Sequence, residues 1–481
     1  MSLRGLPTAR LLARAALLLT LVGMTSAAAK EAVPPLAEPR PFVLPSRSNL
    51  TLDNGLTVTF LDVGEIPKAT VIVFLRTGSI DEGSHNGLAD FVGEYLREGA
   101  GERDATAVAA AAADMGGTLS IGMGAEQSTF ALDVLSERVP DAVALLGDVL
   151  RRPALPDAAL SRLRADALRQ LAVSRTQPQQ LAGDALRRAL YGTHRYGRGL
   201  PSDADVNGYT VGDVRDFVAR NFGAARTRVY IAGHFDHARA ERAVRDAFGS
   251  WAPGPAPTVD IPVLAPKRRV VLIDRPGAPQ STVLIGAPGA DPTRPDYTAL
   301  AQAVSVLGGG LQSRFNQDLR EQKGWTYGVQ GWLAPTYRSG TVTFSADVIT
   351  AHTAESVAAL LRGIAALRQT PPPADELRRT QNYRAGTYVI GVAGRSGLAG
   401  VMGFLDLHEL PDSWLSGYMT RVYGVTPADV SAALSRYVQD AALTVVVLGD
   451  RRAFEKDLRA LPELDPATTV WTDATAPASP R

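Results

Sequence analysis

The sequence of 481 residues contains no cysteine. Disulfide bonds, thiolate metal sites and cysteine nucleophiles are therefore excluded. An excess of charge of either sign is also missing, because 50 basic residues stand against 49 acidic residues. This balance gives no indication of binding to nucleic acid or to an anionic membrane. Lysine is scarce, with five residues, and we interpret the dominance of arginine as the mark of a GC-rich genome rather than of phosphate binding.

Two common catalytic patterns are missing as well. The sequence has no G-x-S-x-G segment, which would be the nucleophile elbow of a serine hydrolase. The run Gly308-Gly309-Gly310 is not followed by Lys-Ser or Lys-Thr, so it is not a phosphate-binding loop. The chain is otherwise 45% hydrophobic and 21% charged, which is typical of a well-packed globular protein with several domains.

An apolar run lies at the N-terminus. Arg4, Arg10 and Arg14 precede the segment AALLLTLVGM, and the small residues of TSAAAK follow it. This order predicts a secretory signal peptide over residues 1–29, and hence an exported protein of the bacterial periplasm. An anchor helix is the alternative, but the run has about half of the ~20 residues that cross a bilayer. No later stretch is predicted to span a membrane.

Proline-rich segments divide the rest of the chain. A lead-in over residues 30–46 is predicted to be extended, and WAPGPAPTVDIPVLAP, residues 251–266, is predicted to link two domains. The domains then cover residues 47–250 and 267–465. A polar segment of alanine, threonine and proline, residues 466–481, is predicted to be a flexible tail.

The two domains resemble each other. Three pairs of residues recur at a spacing of 216, namely Thr210 and Thr426, Asp213 and Asp429, and Gly233 and Gly449. Three features in one register indicate an internal duplication. In each half, β-rich runs precede long segments of helical periodicity. We predict an α+β fold of two homologous domains, each an antiparallel-rich sheet with helices covering one face.

The segment LADFVGEYLREG, residues 88–99, has the frame of a metal-binding helix. With its Gly-Leu-Ala lead from Gly87 and the glycine-rich turn that follows, it resembles the zinc helix of the insulinase-like (pitrilysin-type) inverzincin metallopeptidases. The resemblance covers nearly the whole chain after the signal peptide. In that family two homologous α+β domains enclose a peptide, and the motif H-x-x-E-H supplies two zinc ligands and a general base.

The resemblance implies that this chain has lost the chemistry of that motif. Asp90 stands at the first histidine, Gly93 at the catalytic glutamate and Glu94 at the second histidine. Gln170 stands at the downstream glutamate that completes the family's zinc site. Asp90 and Glu94 share a helix face and could bind a hard cation, but zinc prefers imidazoles, and Gly93 cannot activate water. We interpret the pair as a solvated or interface-facing acidic edge and predict no metal in this chain.

The second domain keeps another part of the family pattern. LGGGLQSRFNQDLREQKGWTYGVQ, residues 307–330, resembles the family's C-terminal signature, in which an arginine and a tyrosine seven residues later reach a neighbouring zinc site. The resemblance implies that Arg320 and Tyr327 bind substrate and stabilise a tetrahedral oxyanion. Arginine offers several charged donors, and a tyrosine hydroxyl can donate to developing negative charge. Without the surrounding signature, Arg320 would be interpreted as part of a salt bridge on a helix surface and Tyr327 as a half-buried aromatic residue of a strand.

The run Gly308-Gly309-Gly310 leaves two interpretations open. Glycine permits a flexible turn or close packing anywhere in a chain. In the family, noncatalytic subunits of two-chain peptidases carry a glycine-rich loop that helps to admit substrate, and the resemblance implies that role here.

These observations favour one function and leave an alternative. The first hypothesis is a noncatalytic, substrate-binding subunit of a heterodimeric zinc-dependent peptidase, inactive alone, whose homologous partner has an intact H-x-x-E-H motif and the zinc. The alternative is a structural scaffold or peptide-binding protein of the same fold without a peptidase role. A solitary enzyme with unconventional metal ligands is the third and least supported hypothesis.

Overall fold

The computed structural model describes residues 42–264 and 266–474. The predicted signal peptide, residues 1–29, lies outside the described residues, and so do residues 30–41 of the lead-in. Residues 42–46 have no regular secondary structure. We call residues 47–250 half 1 and residues 267–474 half 2.

Half 1 alternates short strands with helices. Its strands are β1 (Arg47–Thr51), β2 (Thr57–Asp62), β3 (Lys68–Leu75), β4 (Gly99–Ala100), β5 (Arg103–Asp104), β6 (Ser120–Gly122), β7 (Ser128–Leu135) and β8 (Thr227–Gly233). Its helices are α1 (Leu88–Tyr95), α2 (Ala105–Asp114), α3 (Val139–Arg151), α4 (Leu160–Ser174), α5 (Pro178–Tyr191), α6 (Asp203–Gly208), α7 (Val211–Asn221) and α8 (His237–Phe248).

Half 2 repeats this plan with longer strands. Its strands are β9 (Arg269–Asp274), β10 (Gln280–Pro288), β11 (Thr326–Thr336), β12 (Ser339–Ile349), β13 (Thr444–Gly449) and β14 (Val470–Ala474). Its helices are α9 (Tyr297–Gly308), a π-helix (Asn316–Gln322), α10 (Thr353–Gln369), α11 (Ala374–Ala393), α12 (Arg395–His408), α13 (Asp412–Ser416), α14 (Tyr418–Gly424), α15 (Pro427–Tyr437) and α16 (Arg451–Arg459).

Five strands of the two large sheets have the same order, and the sixth strand differs, because β1 is antiparallel to β2 while β14 is parallel to β9. In half 1 the strand order is β1-β2-β8-β3-β7-β6, and in half 2 it is β14-β9-β13-β10-β12-β11. Most neighbours are antiparallel, with parallel pairs at β2/β8, β9/β13 and β9/β14. The prediction of two α+β halves with antiparallel-rich sheets is therefore confirmed.

The 216-residue repeat has a physical basis in helix capping. Thr210 and Asp213 form a capping box at the start of α7, where the Thr210 hydroxyl accepts from the Asp213 amide and the Asp213 carboxylate accepts from the Thr210 amide. Thr426 and Asp429 form the same box at the start of α15. Such a box satisfies backbone donors that the first helical turn leaves unpaired.

Each sheet is covered by helices on both faces, which differs from the predicted single covered face. One face packs against helices of the same half. The other face packs against a helix of the opposite half, because α5 lies on the sheet of half 2 and α12 lies on the sheet of half 1. Sequence periodicity marks the apolar face of a helix but does not say which sheet receives it.

We call α5 and α12 the exchanged helices, because each packs on the sheet of the opposite half. At their contacts with these sheets, the large and the small side chain are placed in opposite ways. Leu186 and Gly403 are the ninth residues of the fourteen-residue helices α5 and α12. A Cβ atom on Gly286 in β10 would lie 2.6 Å from Leu186 Cδ1, and a Cβ atom on Gly403 would lie 2.6 Å from Phe74 Cε2 in β3. One interface therefore places the large side chain on the helix, and the other places it on the strand.

Parts of the linker and of the tail are held by contacts with the two halves. Arg226, a buried residue, donates hydrogen bonds to the carbonyl oxygens of Pro255 (2.8 Å) and Ala256 (2.6 Å), so this part of the linker is fixed along half 1. The prediction of a flexible tail from residue 466 is wrong for residues 470–474, which form β14 beside β9. Residues 475–481 lie outside the described residues.

Within the described ranges, no single helix is long and apolar enough to cross a membrane. Helices α11 and α12 meet that criterion only when taken together, and they are bent by 107° relative to each other.

Candidate functional site

The predicted zinc-site positions meet in one cavity of half 1. A space of about 760 Å³ lies between α1, β6 and α4, and Asp90, Gly93, Glu94 and Gln170 all line it. Gln170 comes from a helix some eighty residues further along the chain, so the fold brings the four positions together. Their roles in the family's zinc site remain an implication of the resemblance.

The residues of this cavity do not fit a zinc ion. The four positions offer two carboxylates, an amide and no imidazole, whereas zinc sites are built from histidine, cysteine and carboxylate ligands. In the described part of the chain, no group of three or more His, Asp or Glu side chains is placed to hold a metal ion. A Cβ atom on Gly93 would lie 2.6 Å from Met123 Cγ, so Met123 fills the space into which a general base would project.

Two carboxylates near the start of α1 have raised pKa values, Asp90 on the wall of this cavity and Glu82 outside it. The pKa of Asp90 is raised because protein surrounds much of the carboxylate at the cavity wall and because Glu94 lies nearby. Burial raises the pKa of Glu82 to about 7, although its oxygens accept hydrogen bonds from the amides of Gly87 (3.1 Å) and Ala89 (2.9 Å). Glu82 thereby caps the first turn of α1, which carries Asp90.

Arg97 closes the edge of the half 1 sheet beside this cavity. β6 is the terminal strand of the sheet. The Arg97 guanidinium donates to the carbonyl oxygens of Leu119 (3.2 Å) and Ile121 (2.8 Å), and it lies 3.6 Å from the Glu94 carboxylate. Because an exposed sheet edge can pair with another extended chain, Arg97 occupies the groups that such a chain would use.

A second cavity occupies the equivalent place in half 2. A space of about 810 Å³ lies between α9, β11 and α11, which correspond to α1, β6 and α4. Gly308, Gly309 and Gly310 line it together with Tyr327. Four large apolar side chains exposed to solvent also lie on its wall, namely Leu311, Tyr327, Trp332 and Tyr383.

The structure does not place Arg320 in this cavity. Arg320 lies on the π-helix and is paired with the adjacent Glu321 at 2.8 Å. Tyr327, by contrast, is 91% exposed and lies on the cavity wall. The sequence-predicted pair is therefore split in this chain, with Tyr327 beside the glycine segment and Arg320 outside the cavity.

A β-bulge presents Tyr327 to solvent. Thr326 pairs with Val348 and Val329 with Ala346, so three residue steps on β11 match two on β12. Bulges of this kind re-aim a side chain and recur beside active sites. The buried side chains of Thr326 and Asn316 contact the bulge, and the motif comparison gave neither of them a role. A glycine inside a strand, here Gly328, is the sequence signal that could have indicated the bulge.

A third cavity of about 450 Å³ lies between the halves. Asp90 lines both this space and the half 1 cavity, and Trp332 lines both this space and the half 2 cavity. The two equivalent cavities therefore border one shared space.

Comparison with known proteins accounts for both halves. Residues 62–203 match the family model described as insulinase (peptidase family M16), and residues 208–383 match that of the peptidase M16 inactive domain. An uncharacterised zinc protease of Streptomyces coelicolor is 24% identical, over 79% of this chain and 85% of that protein. One of Mycobacterium bovis is 26% identical, over 88% of this chain and 98% of that protein.

A further relative and two solved structures extend the comparison. The β subunit of the mitochondrial-processing peptidase of Blastocladiella emersonii is 26% identical, over 55% of this chain and 57% of that protein. A solved peptidase M16 inactive domain of Pseudomonas fluorescens is 23% identical and superimposes with a TM-score of 0.78, over 84% of this chain and 98% of that chain. A protease of Helicobacter pylori is 16% identical with a TM-score of 0.76, over 85% and 100%. The chain belongs to the insulinase family of peptidases, family M16.

Proposed function

We propose that this chain is the noncatalytic, substrate-binding subunit of an exported, two-chain zinc-dependent peptidase. A homologous partner chain carries the zinc ion and the general base, and this chain contributes Tyr327 and Arg320 to the partner's site. The observation that carries the proposal is the contrast between the two cavities. The half 1 cavity keeps the zinc-site frame without a ligand set, while half 2 exposes 91% of the Tyr327 side chain.

The exposure of Tyr327 supports a contact outside this chain. A large aromatic side chain gains free energy by burial, so a strand that presents one to solvent leaves that gain to a ligand or a partner. The Tyr327 hydroxyl donates a hydrogen bond to the oxyanion that forms when the peptide carbonyl is attacked. Arg320 has charged donors that can leave the neighbouring Glu321 for a substrate carboxylate or carbonyl, because an exposed pair of this kind is weak.

The lining of the half 2 cavity supports an uncharged peptide segment as the ligand. Its two charged side chains are already paired, since Glu376 binds Arg314 through two bonds of 2.8 Å and Arg379 binds Asp375 at 2.6 Å. The exposed wall consists of Tyr327, Trp332, Tyr383 and Leu311. A cavity with apolar walls and paired charges favours apolar side chains on an extended peptide.

The relatives support a peptidase made of more than one chain. Several relatives are named zinc proteases, and one is named a subunit of a processing peptidase. A chain without its own zinc ligands contributes to that activity only when another chain supplies them.

The test begins with the native assembly. The chain is purified from its host under mild conditions, and the proposal requires a co-purifying homologue with an intact H-x-x-E-H motif, stoichiometric zinc and peptide cleavage by the complex. Tyr327→Phe in this chain should lower kcat by about 10²–10³-fold, the usual effect of removing one oxyanion donor. Tyr383→Phe is the matched control, because Tyr383 lies on the same cavity but away from the bulge.

Two results would overturn the proposal. Cleavage at the wild-type rate by the Tyr327→Phe complex would remove the oxyanion role. A native assembly without a zinc-motif homologue and without peptidase activity would establish the alternative, a scaffold or peptide-binding protein of the same fold.

A further inference from the structure

The bulge that exposes Tyr327 leaves backbone groups without partners in the sheet. Between Thr326 and Val329, the residues Tyr327 and Gly328 both stand opposite Asp347 of β12. A bulge interrupts the regular hydrogen-bond ladder, so some amides and carbonyls in it need other partners. Two buried side chains supply these partners, one from within β11 and one from the π-helix.

The first side chain is Thr326, directly before Tyr327. Its hydroxyl donates to the carbonyl oxygen of Asp347 at 2.7 Å and accepts from the Gly328 amide at 3.1 Å. One hydroxyl thus serves the residue after Tyr327 and the residue opposite it. The side chain is buried, so water cannot easily replace these bonds.

The second side chain is Asn316, at the start of the π-helix. Its Oδ1 accepts from the Val329 amide at 2.8 Å, and its Nδ2 donates to the Val329 carbonyl oxygen at 2.8 Å. The carboxamide therefore binds the edge of β11 as a neighbouring strand would. The same Nδ2 donates to the Gly310 carbonyl oxygen at 3.0 Å, which ties the glycine segment to the strand.

The geometry points to Thr326 and Asn316 as the positioning residues of Tyr327. Their hydrogen bonds fix the backbone of the bulge and set the distance between the Tyr327 phenol and the glycine segment. Neither contacts the substrate; both act through Tyr327, so the inference rests on the proposed function. Asn316 is 2% exposed, and from the π-helix its side chain binds two other segments, the glycine segment and β11.

The first measurement uses this chain alone. Thr326→Val keeps the side-chain shape and removes the hydroxyl, whereas Thr326→Ser keeps the hydroxyl. Hydrogen exchange of the Gly328 amide, normalised to amides in β12, should be roughly tenfold faster in Thr326→Val and near wild type in Thr326→Ser. Asn316→Ala should have the same effect on the Val329 amide, with Ser313→Ala as the control, because the Ser313 hydroxyl accepts from the Asn316 Nδ2 and does not bind Val329.

The second measurement uses the active two-chain complex. Thr326→Val should lower kcat by roughly tenfold with KM unchanged, and Thr326→Ser should restore the rate. In a Tyr327→Phe background, Thr326→Val should cause no further loss of kcat. The reason is that Thr326 and Asn316, which together we call the clamp, act only through the Tyr327 phenol. A merely structural role would lower the rate in both backgrounds.

The outcomes separate the two proposals. If Tyr327→Phe slows the complex and Thr326→Val does not, the positioning role is wrong and the proposed function stands. If Tyr327→Phe leaves the complex unaffected while exchange at Gly328 rises in Thr326→Val, the clamp exists and the proposed function is wrong. If exchange at Gly328 and Val329 is unchanged in Thr326→Val and Asn316→Ala, the clamp itself is refuted.

Discussion

Two equivalent cavities of this protein differ in what their walls offer. Both lie between the first α-helix of a half, the edge strand of its sheet and a later helix. In half 1 the wall carries the carboxylates of Asp90 and Glu94, and Arg97 and Met123 occupy the sheet edge and the space beside Gly93. In half 2 the wall carries glycines and exposed aromatic side chains. The two halves therefore share the shape of this frame, and the chemistry of its walls differs between them.

Restoring the lost ligands is the change with the largest expected effect. Asp90→His, Gly93→Glu, Glu94→His and Gln170→Glu rebuild the family pattern in half 1, and Met123→Ala removes the side chain that meets position 93. The variant with all five substitutions, which we call the five-fold variant, should bind one zinc ion per chain. Its affinity for zinc should be at least about 10⁴ times that of the wild type, which corresponds to about 5.5 kcal/mol of binding free energy. Metal analysis after dialysis and a competition titration measure this.

The same rebuilt set with Met123 intact serves as the control and should bind zinc less tightly. If the five-fold variant binds no zinc although it remains folded, the half 1 cavity is not a former zinc site. Stoichiometric zinc in the wild-type chain would contradict the prediction of a metal-free subunit directly.

The second prediction concerns the exchanged helices. Leu186→Gly should lower the free energy of unfolding by about 4 kcal/mol, because it removes a buried side chain and places glycine within a helix. Gly286→Phe alone should also destabilise, since its side chain would collide with Leu186. The double variant copies the Gly403–Phe74 contact into half 2 and should recover part of the loss. Denaturant unfolding measures each variant, and strictly additive losses would contradict the matched fit.

The third prediction uses the buried carboxylate that caps α1. The pKa of Glu82 is about 7 in the folded chain and 4.5 without the fold. A raised pKa in the folded state means that this group favours folding most below pH 4.5, and the contribution falls as the pH rises towards 7. The loss is on the order of 3 kcal/mol. Glu82→Gln should remove it, so the difference in unfolding free energy between variant and wild type should grow from pH 5 to pH 7.5 in favour of the variant.

That comparison has its own internal check. The charge of Asp90 raises the pKa of Glu82 and the charge of Arg198 lowers it. Asp90→Asn should therefore lower the pKa of Glu82 and narrow the pH range over which Glu82 changes the stability. Parallel curves for Glu82→Gln and the wild type across this range would show that Glu82 titrates normally.

The smallest expected effect is at the capped edge of half 1. Arg97→Met keeps much of the alkyl chain and removes the donors to Leu119 and Ile121, and it should cost about 1–2 kcal/mol of stability. It should also free the edge of β6, which hydrogen exchange of the strand and binding of an extended peptide can detect. Arg103→Met, which removes an exposed pair with Asp148, is the matched control and should leave that edge unchanged. Equal peptide binding by wild type and Arg97→Met would show that the edge is not blocked by Arg97.

The sequence could predict the features that rest on local rules. The Thr-x-x-Asp segments at Thr210 and Thr426 revealed the 216-residue repeat, and the helix frame around Asp90 led to residues that line one cavity. Each of these depends on residues whose partners lie within a few positions or on a motif that the family keeps.

The features that the sequence did not reveal depend on contacts between distant segments. The apolar face of α5 has the same periodicity whether it covers its own sheet or the other one, so the exchange with α12 could not be read from it. Asn316 and Arg97 look like ordinary surface residues until the strand edges that they bind are in place. The segment VWTDA in the tail is short, and its pairing with β9 comes from a neighbour about two hundred residues away.

The helix exchange has a consequence for the order of assembly. The sheet of half 1 is complete once residue 233 has been made, but the helix that covers its outer face ends at residue 408. Until the chain as far as residue 408 is in place, Ile72, Phe74 and Tyr230 face water without α12. The newly made chain therefore exposes an apolar, aggregation-prone surface that is buried only when the last third of the chain folds. A chaperone that binds this surface would raise the yield of folded protein.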